Sequence, residues 1–281
     1  LPKKKVVRIG LVGLGMRGPG AVENFSLIPG VQVVALCDYE EKRAVRQNER
    51  LRKNGLAPAA VYYGEKGYEA LCKRPDIDLV YIATDWEHHA IVAKCALENG
   101  KNVADEVPSA MNLQECWDLI NLAEQKQLNC MILENCCYDW FEMRTLNMAQ
   151  HGVFGEILRA QGAYIHNLDD FWDYYWKNPN GSDPDQLGWR LKYNKENRGD
   201  LYATHGLGPV AQALDIHRER TRQGARGEED GQALYRVPQW RPHHDAHSHR
   251  GREGNRTPAR RDESSALQPS LSVDGNERIC Q

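Results

Sequence analysis

The sequence has no apolar run long enough to span a bilayer, and no basic start followed by the short apolar stretch of a secretory signal. No membrane role is expected. The chain opens on Leu1 rather than methionine, so an upstream export signal could have been removed and the compartment stays open. An excess of charge of one sign is also missing. With 36 Lys and Arg against 39 Asp and Glu, the formal charge is −3, which gives no general reason to expect nucleic acid or an anionic surface as partner. The eight cysteines, Cys37, Cys72, Cys95, Cys116, Cys130, Cys136, Cys137 and Cys280, include no zinc-type C-x-x-C pair and fall short of a disulfide scaffold's density. No metal site is expected from them. Most sit in apolar patterns, where a free thiol behaves as a small hydrophobe.

What the sequence does contain begins at Arg8-Ile-Gly-Leu-Val-Gly-Leu-Gly-Met-Arg-Gly18. The apolar run Val6 to Val12 reads as a buried strand, and Gly13, Gly15 and Gly18 follow it. In a dinucleotide-binding βαβ unit, the first glycine makes the tight turn and the second admits the pyrophosphate to the backbone. The third lets helix pack on strand. The next helix then offers free N–H groups and a positive dipole end to the phosphates. Asp38 ends a second apolar strand, Val31 to Cys37, and lies twenty residues past Gly18. A carboxylate there suits ribose hydroxyls and disfavours a 2′-phosphate, so NAD is expected over NADP.

The chain then alternates. Glu40 to Asn54 reads as a helix, Val61 to Tyr63 as a strand, Tyr68 to Lys73 as a helical turn, and Asp78 to Thr84 as a strand apolar enough to be covered on both faces. A helix follows Asp85-Trp-Glu-His-His89 and stops near Asn99-Gly100. Asn102 to Asp105 and Asn129 to Leu133 are further strands. Between them Asn112 caps a helix carrying Leu113, Cys116, Trp117, Ile120 and Ala123 at helical spacing. Strands and helices in this order predict an α/β fold, a doubly wound parallel (Rossmann) sheet over residues 1–138. Ligands bind such sheets beyond the carboxyl ends of the strands. Met16, Arg17, Asp38, Trp86 to His89, Glu106, Val107 and Asn135 are therefore expected to converge on one cleft.

Asp139 to His151 reads as a linking helix that opens a second, truncated α+β domain over 139–218. Its pieces are the strand-like Gly155 to His166, an aromatic loop from Phe171 to Trp176, Trp189-Arg190, and Leu201-Tyr-Ala-Thr-His-Gly-Leu-Gly-Pro209. A helix is expected from Pro209 to His217, with Tyr202, Thr204 and His205 near its start. Aromatic loops rimmed with Arg and His suit a sugar, whose apolar faces stack while its hydroxyls need directional partners.

These motifs resemble the Gfo/Idh/MocA oxidoreductases and, within them, glycoside hydrolase family 109, whose members use NAD to hydrolyse α-N-acetylgalactosaminides. The likeness runs from about Arg8 to Arg218. It rests on Trp86-Glu-His-His89, Glu134-Asn-Cys-Cys-Tyr138, Gly155-Glu156, Tyr164-Ile-His166 and Leu201 to Pro209. It implies cofactor contacts at Gly13, Gly15, Met16, Arg17, Gly18, Asp38, Trp86, Glu87, His88, His89, Glu106, Val107 and Asn135. For the sugar it implies Tyr164, Arg190, Tyr202, Ala203, Thr204 and His205, with Tyr202 and His205 as the catalytic pair. Sugar dehydrogenases of the superfamily carry Glu-Lys-Pro after the fifth strand, the lysine serving as acid/base. Here the run is Asp105-Glu-Val-Pro108. Valine cannot move a proton, which favours the glycosidase branch.

The family route differs from hydrolysis by paired carboxylates. It implies transient oxidation at C3, loss of the C2 proton, departure of the aglycone, water addition and return of the hydride. The alternatives are an NAD-dependent sugar oxidoreductase or an inactive nucleotide-binding remnant. A small-molecule glycoside is the expected partner, with no nucleic acid and no membrane; homo-oligomerisation is left open.

After Arg218 the composition changes. No lysine follows Lys195, arginines crowd the segment, and His243, His244, His247 and His249 cluster without a framework to hold them as ligands. Apolar periodicity stops. Permissible codons for Gln239 to His249, read one base later, give Asn-Gly-Asp-His-Thr-Thr-Thr-Leu-Ile-Arg, a strand-like run. The same shift from Asp262 yields a segment resembling later strands of the family. Residues 219–281 are therefore read as translated in a shifted frame, and expected to be largely disordered.

Overall fold

The computed structural model describes residues 4–165, 188–197, 202–216 and 271–275. It divides into two compact units, Leu1–Tyr138 and Asp139–Gln281. The elements of the first are β1 (Val7–Val12), α1 (Arg17–Ser26), β2 (Val31–Asp38), α2 (Glu41–Lys53), β3 (Ala60–Tyr63) and α3 (Gly67–Cys72). They continue with β4 (Leu79–Ile82), α4 (Trp86–Glu98), β5 (Asn102–Asp105), α5 (Leu113–Lys126), β6 (Cys130–Ile132) and a 3₁₀ turn, Asn135–Tyr138. The six strands form one parallel sheet in the order β3-β2-β1-β4-β5-β6. This is the doubly wound arrangement predicted above. Its strand order reverses between β1 and β4, where nucleotides bind in such sheets.

Alternation along the strands explains why helices cover both faces. Ile9, Leu11, Leu36 and Tyr81 point to one side and pack with Val22 of α1 and with Ala44 and Leu51 of α2. Val12, Ala35, Cys37, Val80 and Ile82 point to the other, meeting Leu71 of α3, Ala93 and Leu97 of α4, and Leu119 and Ala123 of α5. Successive side chains alternate across a strand, so a sheet apolar on both faces needs two helical layers. Capping matches the sequence reading at Asn112, which accepts the Glu115 N–H; α4 starts at Trp86, earlier than the sequence reading has it, because Asp85 accepts the His88 N–H.

One detail of α5 differs. Leu113, Trp117 and Ile120 are exposed, as is Cys116, while Leu119 and Ala123 face the sheet. The helix carries two apolar stripes, and spacing alone does not say which one the sheet covers. The cysteines from Cys37 to Cys137 are free thiols.

In the second unit, α6 (Trp140–Gln150) precedes β7 (Ile157–Gly162), and two further helices, α7 (Trp189–Glu196) and α8 (Ala203–Ala213), follow. Another strand, β8 (Leu271–Gly275), pairs antiparallel with β7. Val210 of α8 packs with Phe154, Ile157 and Ala160. Where α8 crosses β7, Gly162 and Gly206 meet backbone to backbone; a Cβ on Gly162 would lie 2.2 Å from the Gly206 carbonyl oxygen. Only two glycines permit that approach.

The start of α8 corrects the sequence reading. The helix begins at Ala203 rather than Pro209 and runs through the proline, which forfeits one backbone hydrogen bond within it. Thr204 and His205 therefore belong to its first turn. The expectations for His166, for the Phe171 to Trp176 loop and for all of 219–281 except 271–275 lie outside the described residues. Among those described, no helix is long and apolar enough to cross a membrane.

Candidate nucleotide site and a tyrosine–histidine cluster

The glycine loop is shaped by close backbone approach. Gly13 adopts φ +91°, and a Cβ there would lie 2.4 Å from the Ala83 backbone; on Gly18 it would lie 2.1 Å from the Gly13 carbonyl oxygen. At Gly15 the situation reverses, for nothing comes nearer than Arg43 Nη1 at 3.7 Å. The loop is tight on the protein side and open where a pyrophosphate would lie. Met16 and Arg17 stand exposed at the start of α1, whose first turn contains no acidic residue to occupy its N–H groups.

Asp38 binds this loop to the end of β2. Its Oδ2 accepts the Leu14 N–H at 2.7 Å, and Oδ1 accepts the Glu40 N–H at 2.9 Å. Arg43 lies against both Asp38 and Glu40. An arginine near this point could greet a 2′-phosphate, but here its guanidinium already faces two carboxylates. These residues fit a dinucleotide with free ribose hydroxyls.

The other predicted cofactor residues occupy neighbouring strand ends. Trp86 and His89 are buried at the start of α4, Glu87 is exposed, and His88 Nδ1 lies 2.6 Å from the Asp85 carboxylate. Past β5, Val107 is buried and Glu106 half-buried. Asn135 is exposed in the 3₁₀ turn past β6, where Glu134 Oε1 accepts the Cys136 N–H.

Sequence reasoning passed over Tyr81. Its hydroxyl donates to Glu106 Oε1 at 2.7 Å, and burial, followed by the Glu106 charge, raises its pKa, keeping it a donor. A tyrosine inside an apolar strand needs a polar partner when buried, a signal that pointed to some partner without saying which. Tyr81 and Glu106 are 25 residues apart in the chain.

The second unit holds the predicted sugar residues. Tyr164, just past β7, and Tyr202, at the start of α8, flank His205: ring centroids are 4.3 Å apart for Tyr164–His205 and 5.4 Å for Tyr202–His205, the latter pair stacked. The two tyrosines are 5.7 Å apart. His205 is buried, and Thr204 beside it carries a buried hydroxyl with no hydrogen-bond partner among the described residues. Ala203 is exposed in the same turn. The Gly162–Gly206 contact brings these rings together, because it brings the end of β7 onto the first turn of α8. Arg190 stands on α7 with its guanidinium 4.1 Å from the Trp189 ring centre.

Comparison with known proteins matches each unit separately. Residues 7–133 match the family described as oxidoreductase family, NAD-binding Rossmann fold, and residues 138–254 match glycosyl hydrolase 109, C-terminal domain. The second match extends past Arg218. Among curated relatives, glycosyl hydrolase family 109 protein 5 of Phocaeicola vulgatus is 74% identical over 217 residues, covering 77% of this chain and 41% of its own length. Protein 1 of the same family from Bacteroides fragilis is 59% identical over 218 residues, covering 77% and 45%. The chain thus spans less than half the length of these relatives. An NAD-binding oxidoreductase of Klebsiella pneumoniae shares the fold at TM-score 0.60 and 22% identity, covering 75% of this chain and 54% of that one. A Lactobacillus casei myo-inositol dehydrogenase solved with NAD(H) and myo-inositol matches at TM-score 0.50 and 24% identity, covering 55% and 44%. The chain belongs to the Gfo/Idh/MocA oxidoreductases, in the glycosyl hydrolase 109 branch, and its first unit is an NAD-binding domain.

Proposed function

We propose that this chain cleaves terminal α-N-acetylgalactosaminides by an NAD-dependent route with no net redox change. The observation that carries the proposal is the Tyr164–Tyr202–His205 cluster in the second unit. Tyrosine faces suit the apolar side of a sugar ring, and a histidine among them can move protons near neutral pH. When bound, NAD supplies a hydride acceptor for C3 and returns the hydride at the end of the cycle.

The chain's own residues do the rest. Gly13, Gly15 and Gly18 with the start of α1 hold the phosphates, and Asp38 holds the adenosine ribose. His205 takes the C2 proton once the C3 ketone acidifies it, and Tyr202 protonates the departing oxygen. Tyr164 and Arg190 orient the sugar, with Thr204 offering its hydroxyl and Ala203 its backbone. Val107 leaves the cofactor side without the lysine that would serve a simple dehydrogenase.

The test is to incubate the chain with an aryl α-N-acetylgalactosaminide, with and without added NAD. Aglycone release that depends on NAD while NADH fails to accumulate is the expected result. Stoichiometric NADH from a free sugar would instead identify an oxidoreductase, and tight NAD binding without turnover a nucleotide-binding remnant.

A further inference from the structure

Thr84 lies past β4 and Pro108 past β5, so their loops lead to two sets of predicted cofactor residues, Trp86 to His89 and Glu106 with Val107. One side chain reaches the backbone of both. His89 Nδ1 lies 2.6 Å from the Pro108 carbonyl oxygen, and Nε2 lies 3.2 Å from that of Thr84. Carbonyl oxygens only accept, so each ring nitrogen must carry a hydrogen if both bonds are to exist. A neutral imidazole has only one. Its bare nitrogen would turn a lone pair on a carbonyl in a site only 1% exposed.

A doubly protonated ring is a cation, and the structure contains its counter-charge. Asp105 Oδ1 lies 3.4 Å from His89 Nδ1. The carboxylate is fully buried, and neither of its oxygens has a hydrogen-bond partner among the described residues. Burial lowers the histidine pKa and raises that of the aspartate, so neither charge is favoured alone. Together they are neutral, and the two carbonyls decide where the shared proton sits. Were it on Asp105, one of the His89 contacts would become lone pair against lone pair. Asp85 at the head of α4 and Glu106 past β5 favour the cation, while the Glu106 charge opposes ionisation of Asp105.

We infer that His89 is a buried imidazolium, paired with Asp105, that fixes the Thr84 and Pro108 loops in register for NAD. Both ring nitrogens are used by the protein, so His89 acts on the cofactor through these loops as a positioning residue. The inference rests on the NAD domain and holds whichever reaction the chain performs.

Ring-nitrogen NMR of the ¹⁵N-labelled full chain tests it. Both His89 nitrogens should carry protons at about pH 8, well above the ordinary histidine pKa of about 6.5. A ring with one bare nitrogen at that pH would overturn the proposal. Asp105→Asn removes the counter-charge. Its His89 should lose one ring proton by about pH 8, and NAD Kd should rise about tenfold or more, the loss expected for a charge-assisted hydrogen bond. Unchanged NAD affinity in a folded Asp105→Asn or His89→Gln chain would contradict the positioning role. If neither variant folds, the spectrum of the unaltered chain decides alone.

Discussion

Replacing Gly18 with alanine should abolish measurable NAD binding. The added methyl would sit 2.1 Å from the Gly13 carbonyl oxygen and 3.0 Å from its carbon, with the Leu14 side chain at 3.3 Å. No flexible side chain can yield in response, because the nearest obstacles are backbone. Helix α1 must therefore move away from the loop, taking with it the N–H groups expected to hold the pyrophosphate. Loss of two or three charge-assisted hydrogen bonds at about 1.5–3 kcal/mol each amounts to at least a hundredfold in Kd. Isothermal titration with NAD measures it. Gly15→Ala is the control: its nearest atom is the end of the Arg43 side chain at 3.7 Å, so the protein should fold as before, and any loss of affinity would report crowding of the cofactor alone. Equal binding by Gly18→Ala and the unaltered chain would refute this account of the loop.

The second large effect concerns His205. Under the proposed function, His205→Asn should lower kcat by about 10²–10⁴, the usual contribution of a positioned acid or base. NAD affinity should be unchanged, since the Gly13 to Gly18 loop and Asp38 are left intact. Asparagine retains a polar side chain in the buried position between the two tyrosines, which limits packing loss. Steady-state kinetics alongside NAD titration separates the two roles. A kcat within a few-fold of the unaltered chain would remove His205 from the proton transfers and leave it a packing residue of the Gly162–Gly206 contact.

The fold was legible because its signals are local. Apolar runs at β1, β2 and β4, glycines directly after β1, and the cap at Asn112 each lie within a few residues of the structure they specify. The contacts the sequence does not announce join the ends of neighbouring strands. Tyr81 reaches Glu106 from the adjacent strand, and His89 reaches Pro108 nineteen residues on; nothing in the intervening sequence announces either. The resemblance implies a cofactor contact at His89; the structure adds that both its ring nitrogens face protein carbonyls. The start of α8 was misplaced for another reason. Glycine disfavours a helix interior and proline suits a first helical residue, but the close crossing with Gly162 offsets the cost of Gly206 inside the helix. The exposed stripe of Leu113, Trp117 and Ile120 on α5 shows the same limit, since helical period fixes that a face exists and tertiary packing chooses which one is covered.

The central claim is that cleavage proceeds through oxidation and proton loss at neighbouring carbons while the cofactor ends unchanged. The most direct measurement is cleavage of an aryl α-N-acetylgalactosaminide in deuterium oxide with NAD present, followed by NMR of the released sugar. The account predicts deuterium at C2 of the product and no accumulated NADH. Released sugar that retains its original C2 hydrogen throughout would contradict it.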